Sequence, residues 1–378
     1  MACGKGILSM NEYELTKLIS GITPAYADAA DAAKKRQATL AKPPHSLGKL
    51  EDISIRIAGI TGKVNNLIGE CRVLVFAADN GVVREGVAVT PQHVTASQAY
   101  NMTLHRTGMS VLAAHFGNSI SVYDVGINNA LKLPGVIDKR IRRGTDSIRR
   151  CPAMTRKECL RAIGIGAEAS LIAAREGVDA VGVGEMGIGN TTTSAAVLSA
   201  LTGLSPDAVT GRGSGLTDEA FALKKRVIAE ALCVNSPDKT DVIDVISKVG
   251  GLDIAAMTGA YLGAAKARIP AVADGFISIV AALCAFRLCP AARDFIFLSH
   301  ASMEQGYRRA AEELGLEPFL LLDMRLGEGS GCPIAFSVIK AACAVMNDMA
   351  TFEEAEINDG YLDIIRGIDA FGKEGGAQ

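Results

Sequence analysis

Residues 180–202 read AVGVGEMGIGNTTTSAAVLSALT. A short β-branched run passes through a glycine-bearing turn into an alanine-rich stretch with the look of a helix, which is how a buried parallel strand delivers the chain to a covering helix. Residues 182–187 spell a formal GxGxxG. Glycines ahead of a helix let backbone N–H groups approach a phosphate, and Thr191 to Thr193 add hydroxyl donors, so this segment is expected to bind an anion. A dinucleotide-binding reading also needs an acid at the end of the next strand, about twenty residues on. The acid at that distance, Asp207, follows Ser205-Pro206 in a loop, which weighs against a nicotinamide-dependent dehydrogenase.

The same strand, loop and helix pattern recurs on either side. Apolar runs at 72–77, 119–125, 180–183, 271–273, 295–298 and 319–322 predict an α/β fold: a Rossmann-like domain with a six-stranded, mostly parallel sheet covered by helices. In such sheets ligands sit beyond the C-terminal strand ends, and the residues there are polar and glycine-rich: AADNGVVREG, DVGIN, GEMGIGNTTT, DGF, SHAS and DMRLGEGSG, in chain order. Both chain ends look helical, the C-terminal one decaying into a glycine-rich tail expected to fray. The predicted division is a large catalytic domain at 35–335 and a small helical domain from 1–34 and 336–378.

Composition excludes several classes. Lys and Arg total 39 against 41 for Asp and Glu, a net charge of -2, which leaves no electrostatic footprint for nucleic acid or an anionic membrane. The apolar run at 276–286 is too short to span a bilayer. The N-terminus turns polar too soon for a signal peptide. Nine cysteines, an odd number without a CxxC pair, suit a reducing cytoplasm. Five histidines without HxH or HxxxH spacing argue no metal site, and no cofactor is predicted.

The chemistry-bearing residues each carry two readings. Glu185, beside the anion-binding turn, would be repelled by phosphate and so should face a cationic part of a ligand; otherwise it pairs with Arg212. Lys224 and Lys225, in RGSGLTDEAFALKKR from Arg212, offer point charges for phosphate or are merely solvated. Glu328, between two glycines in RLGEGSG, has the setting of a proton acceptor tuned by burial; the alternative is an ion pair with Arg325. Asp79, Asn80 and Asp274 stand where strands run into turns and serve a site or cap the following helices. His300 and Ser302 hydrogen-bond a phosphate or, for the serine, start a helix. No GxSxG and no lysine-ended phosphate loop is present. The acidic pair with Thr-Gly that binds phosphoribosyl diphosphate and magnesium is also missing.

At these same segments the chain resembles the nicotinate-nucleotide:dimethylbenzimidazole phosphoribosyltransferase family. The matching stretches include KPPHSLGKLE, ADNGVVREGVAVTPQHVTASQAYNM, VGVGEMGIGNTT, SKVGGLDIAAMTGAYLGAA, SHASMEQG and MRLGEGSG, between about residues 42 and 350. The resemblance implies transfer of ribose 5-phosphate from nicotinate mononucleotide to an aromatic base. It implies Glu328 as general base, with Glu185 assisting. It places Gly187, Asn190, Thr191, Ser302 and Gly327 around the ribose phosphate or nicotinate and Lys224 near the phosphate. Thr90 and Gln98 would lie by the incoming base, with Met186 and Leu326 as apolar walls.

A homodimer, or a heterodimer with a paralogue, is implied as well. Some relatives are two-subunit enzymes acting on phenolic bases, and a partner-dependent subunit is the alternative reading; retention of both glutamates favours an active chain. The sequence departs from the family at His45, usually glycine, at Asn80, often histidine, and at Thr90, commonly serine. The extra methyl of Thr90 narrows the base pocket.

Overall fold

A computed structural model describes residues 10–213 and 215–362. The glycine-rich C-terminal tail and the first residues, both read above as ends of a helical domain, lie outside the described residues. Residue contacts divide the chain into two compact units. One comprises the chain up to Pro24 together with Glu70–Phe336, the other Ala25–Gly69 together with the chain from Ser337.

The first unit holds one sheet of seven strands: β1 (Cys71–Ala78), β2 (Ser119–Gly126), β3 (Ile137–Asp138), β4 (Ala180–Met186), β5 (Ala271–Ala273), β6 (Ile296–His300) and β7 (Pro318–Leu320). All pairings are parallel, in the order β3-β2-β1-β4-β5-β6-β7. The sequence predicts six strands, and the structure corrects this to seven. The added strand, β3, is two residues long and pairs Ile137 with Tyr123 and Asp138 with Asp124. Both its residues are exposed, so it has no apolar run from which it could be read; it is held by backbone pairing at the sheet edge.

The central strands β1 and β4 are buried along nearly their whole length, as a sheet covered on both faces requires. Strand order reverses between β1, which leads outward to β2, and β4, which leads to β5. That reversal opens a crevice at the C-terminal ends of β1 and β4, the position where doubly wound sheets take their ligands. The helix Leu252–Ala267 covers this region and packs on the helix Arg156–Arg175, where the buried Ser170 hydroxyl donates to the Ala260 carbonyl at 2.7 Å. A capping box between Thr155 and Glu158 starts the latter helix.

The second unit is built from the helices Ala27–Thr39 and Lys49–Thr61 with the later part of the helix Cys332–Asp348. Arg36 Nε donates to the Met346 carbonyl at 2.8 Å, and Leu40 bridges Thr351. Among the described residues no helix is long and apolar enough to cross a membrane.

Candidate active site

A cavity of about 1230 Å³ opens in the first unit at the C-terminal ends of the strands. Its wall includes every residue to which the family resemblance assigns a site role: Thr90, Gln98, Glu185, Met186, Gly187, Asn190, Thr191, Lys224, Ser302, Leu326, Gly327 and Glu328. They come from segments more than two hundred positions apart in sequence, brought together by the sheet.

Glu185 is not a loop residue. It is the penultimate residue of β4, paired in register with Phe76 of β1, and the turn begins only at Gly187. The residue is 7% exposed, and its carboxylate takes hydrogen bonds from the Asn190 side chain and, at 3.3 Å, from the Glu328 backbone N–H. Burial, with the Asp253 carboxylate second, pushes Glu185 up to about 8. Arg212 does not pair with it; the guanidinium binds Asp218 and the Leu216 carbonyl.

Glu328 follows Gly327 in the loop after β7 and takes a left-handed backbone, φ +65°, which costs a side-chain-bearing residue on the order of 1–3 kcal/mol. Gln98 Nε2 donates to its Oε1 at 3.2 Å. Oε2 is buried and accepts no bond within hydrogen-bond geometry among the described residues, the Met109 amide and Thr107 being near the carboxyl but outside that geometry. Burial raises the carboxyl above its ordinary range against the pull of the Met109 amide, Thr107 and Gln98. Arg325 lines the same cavity but is not the partner of this carboxylate.

Lys224, on the helix Asp218–Asn235, is 1% exposed. Its ammonium donates to Thr191 Oγ1 at 2.9 Å and to the Gly211 carbonyl at 3.0 Å. Burial lowers it to about 8, with Glu304 acting in the opposite direction. Lys225 points elsewhere, to Asp207 and the Phe221 ring. The two adjacent lysines therefore differ: Lys224 lies inside the cavity wall and Lys225 is a surface pair.

Asp79, Asn80, Asp274 and His300 lie outside the cavity wall, and none of the acids caps a helix. Asp79 accepts the Asn128 amide at 2.7 Å. Asn80 donates to Asp253 at 3.3 Å and accepts from Thr193. His300 is buried beside Asp274 and Ser299, and burial lowers it to about 4, so it is neutral. Ser302 lines the cavity, and its hydroxyl accepts the Glu304 amide at 3.4 Å.

Sequence reasoning missed Asp253 as a site-supporting group. It is fully buried, pushed up to about 6 by burial, and joins Asn80 and Asn190 beneath the Gly187 turn. Its signal was a glycine pair, Gly250-Gly251, followed by an acid at a helix start, which reads equally well as a cap. Among the described residues no group of His, Cys, Asp and Glu is arranged to hold a metal ion.

Fold and cavity define the class: residues 22–357 match the family model described as phosphoribosyltransferase. The nicotinate-nucleotide–dimethylbenzimidazole phosphoribosyltransferase of Clostridium perfringens is 51% identical over 94% of this chain and 99% of its own length. That of Clostridium tetani is 46% identical over 91% and 95%. The crystal structure of CobT from Thermus thermophilus superposes with a TM-score of 0.85 at 39% identity, covering 88% of this chain and all (100%) of that one. The chain belongs to the nicotinate-nucleotide–dimethylbenzimidazole phosphoribosyltransferase family.

Proposed function

We propose that this chain moves ribose 5-phosphate from nicotinate mononucleotide to a benzimidazole-like base, giving α-ribazole 5′-phosphate and nicotinate for cobamide lower-ligand assembly. It works in the cytoplasm as a homodimer, and the helical unit, Ala25–Gly69 with the chain from Ser337, serves as its small domain. The observation that carries the reading is Glu328: a carboxylate on the wall of a large cavity, raised by burial, with one oxygen that accepts no hydrogen bond among the described residues. An unsatisfied buried acceptor is costly unless a ligand proton completes it. The cavity exceeds the usual span of about 300–1,000 Å³ for one small ligand, which suits a nucleotide and a base held together.

The chemistry follows from charge. The pyridinium of nicotinate mononucleotide leaves as neutral nicotinate ring nitrogen when the bond to the anomeric carbon breaks, taking the electron pair. The base nitrogen attacks from the opposite face, inverting that carbon through an oxocarbenium-like state. The N–H proton of the base passes to Glu328, which must come within about 2.6–3.2 Å of that nitrogen. Glu185 faces the pyridinium. Lys224 and Thr191, with the helix start behind Gly187, Asn190 and Gly189, hold the phosphate; Ser302 and Gly327 complete its surroundings. Thr90, Gln98, Met186 and Leu326 form the base pocket. Holding both partners in line supplies much of the remaining acceleration.

The test is product formation by mass spectrometry with nicotinate mononucleotide and a panel of benzimidazoles, purines and phenols. A ribosylated base and nicotinate should form with the native chain, and turnover should fall about 10²–10⁴-fold in Glu328→Gln. Undiminished turnover in that variant would remove Glu328 from the mechanism.

A further inference from the structure

Asp274 has no place in the mechanism above, yet it is bonded to the loop that carries Glu328 more closely than any cavity residue is. It stands directly after β5, 2% exposed. Its Oδ2 accepts the Gly329 amide at 3.0 Å and its Oδ1 the Gly331 amide at 2.7 Å. The residue is itself fixed on two sides. Its carbonyl accepts the Ser299 hydroxyl at 3.0 Å, and its amide donates to Ser278 Oγ at 3.3 Å. Ser278 in turn donates to the Val183 carbonyl of β4 at 2.7 Å. The Glu328 loop is therefore tied through one residue, its carboxylate on the loop and its backbone on the sheet, to three neighbouring strands, β4, β5 and β6.

Glu328 and Gly329 are the central residues of a tight turn closed by the Ser330 amide on the Gly327 carbonyl at 3.0 Å, a turn type that needs positive φ at both positions. Gly327 (φ +85°), Glu328 (φ +65°) and Gly329 (φ +91°) form a left-handed run, and a non-glycine residue persists in such a run only where its surroundings over-determine it. The turn bond alone leaves the turn free to move as a unit; the two amide bonds to Asp274, immediately C-terminal to Glu328, anchor it to the sheet together with the Glu328 amide on Glu185. A carboxylate presents acceptors to both amides at once, whereas an amide side chain of the same shape presents only one.

We propose that Asp274 is a positioning residue for proton transfer: by accepting the amides of Gly329 and Gly331 it holds Glu328 in the left-handed conformation from which its carboxylate borders the cavity. This rests on the reading of Glu328 as the base. Asp274 sets the angle and the electrostatic surroundings of that base and does not itself touch substrate.

The groups facing Asp274 are Glu328 and Glu185 from the site, His300 from β6, Tyr261 and Tyr307 from helices, and Cys332 from the helix that follows the loop. His300 is neutral, and burial holds both tyrosines and the thiol above their usual range in the protonated form. The interaction that varies with pH near neutrality is therefore carboxylate against carboxylate. Burial also moves Asp274 up to about 7, the bonds from Gly331 and Gly329 working against it. Its charge, and with it the hold on the loop, changes in the working range.

The experiment compares native protein, Asp274→Asn and Glu328→Gln, with kcat and KM for nicotinate mononucleotide measured from about pH 5.5 to 9. In Asp274→Asn, kcat should fall by about tenfold or more while KM stays within about threefold. The ascending limb that the native kcat shows through about pH 7, where Asp274 ionises and gains its second acceptor for the loop, should be missing from the variant, because an amide does not titrate. A purely structural loss would lower kcat with the limb in place, and that result, or retained kcat, overturns the proposal. Full turnover in Glu328→Gln would instead overturn the assignment of the base.

Should Asp274→Asn fail to fold, hydrogen–deuterium exchange of the peptide spanning 323–333 in the native protein decides the matter. Its protection, corrected for intrinsic rates, should weaken as pH falls through about 7. Protection independent of pH sinks the idea.

Discussion

The backbone N–H of Glu328 donates to Glu185 Oε1 at 3.3 Å, and Glu185 Oε2 is paired in turn with the Asn190 side chain. One carboxylate thus joins the end of β4, the turn from Gly187 to Asn190 and the loop of the proposed base. Its charge state matters to all three.

That charge state should change when substrate binds. Glu185, raised to about 8 by burial and by Asp253 beside it, is mostly protonated at pH 7 in the empty site. A pyridinium placed against it favours the carboxylate, so binding of nicotinate mononucleotide at pH 7 should release close to one proton. Calorimetry in two buffers of different ionisation enthalpy reads this directly. Glu185→Gln should abolish the release; a release of the same size in the variant would mean that Glu185 does not face the cation.

The raised carboxylates also fix how stability responds to pH. Asp274 rises from 3.8 to about 7 and Glu185 from 4.5 to about 8. Between its unfolded and folded pKa each group holds more protons in the folded state than in the unfolded chain, so stability falls as pH rises through that interval. His300, lowered from 6.5 to about 4, acts in the opposite sense but only below 6.5. Lys224, lowered from 10.5 to about 8, also acts in the opposite sense, from about pH 7.5 upward; between about pH 6.5 and 7.5 the carboxylates dominate, and the urea midpoint of the substrate-free protein should decline across that window. A midpoint that is flat or rises there would contradict the burial assigned to Glu185.

Lys224 and Lys225 should separate cleanly in a mutant pair. Lys224 is buried against Thr191 and the Gly211 carbonyl, so on the proposed reading Lys224→Met removes a charge-assisted contact to phosphate worth ~1.5–3 kcal/mol. The KM for nicotinate mononucleotide should rise about tenfold or more, with competition by inorganic phosphate weakened in step. Thermal stability should hold or improve, since an apolar chain of similar length replaces a buried cation. Lys225→Met breaks a surface pair with Asp207 and a contact over the Phe221 ring, each worth about 1 kcal/mol or less at the surface, and should leave both constants unchanged. Equal effects from the two variants would remove the special role of Lys224.

How much of this is readable in the sequence depends on the range of the interaction. The runs 72–77 and 119–125 fall inside β1 and β2, and 271–273 coincides with β5, because apolar, β-branched runs ending in glycine or acid are local signals. The polar strand ends are legible as a site for the same reason. Glu185 and His300 read as loop residues in the sequence and are strand residues in the structure, since a polar side chain at the buried end of a strand mimics the start of a loop. β3 has no hydrophobic signature at all. Asp274 and Asp253 are invisible as supports because their partners lie elsewhere in the chain: Asp274 bonds amides 55 and 57 positions away, and Asp253 bonds a side chain 173 away. An acid before a helix suggests a cap locally, and only the folded sheet shows what it holds.

The loop of the proposed base should be the least tolerant part of the cavity, and Gly327→Ala tests that with a single methyl group. Gly327 has φ +85°, where a Cβ is strained by on the order of 1 kcal/mol or more. The added carbon would also meet Glu185 Oε1 at 2.7 Å, closer than a carbon and an oxygen can sit. That oxygen is the acceptor of the Glu328 amide, so relief of the clash pulls apart the contact between the two glutamates. Stability should fall by ~1–3 kcal/mol, well within what a domain of this size can lose. Turnover should fall much further than stability alone explains, by about tenfold to a hundredfold in kcat in fully folded protein. The comparison to run is kcat against the urea midpoint for Gly327→Ala beside Gly177→Ala, a left-handed glycine with open space around it. The second variant should lose comparable stability and keep its turnover; if both lose turnover equally, the close packing of Gly327 on Glu185 is not what the reaction depends on.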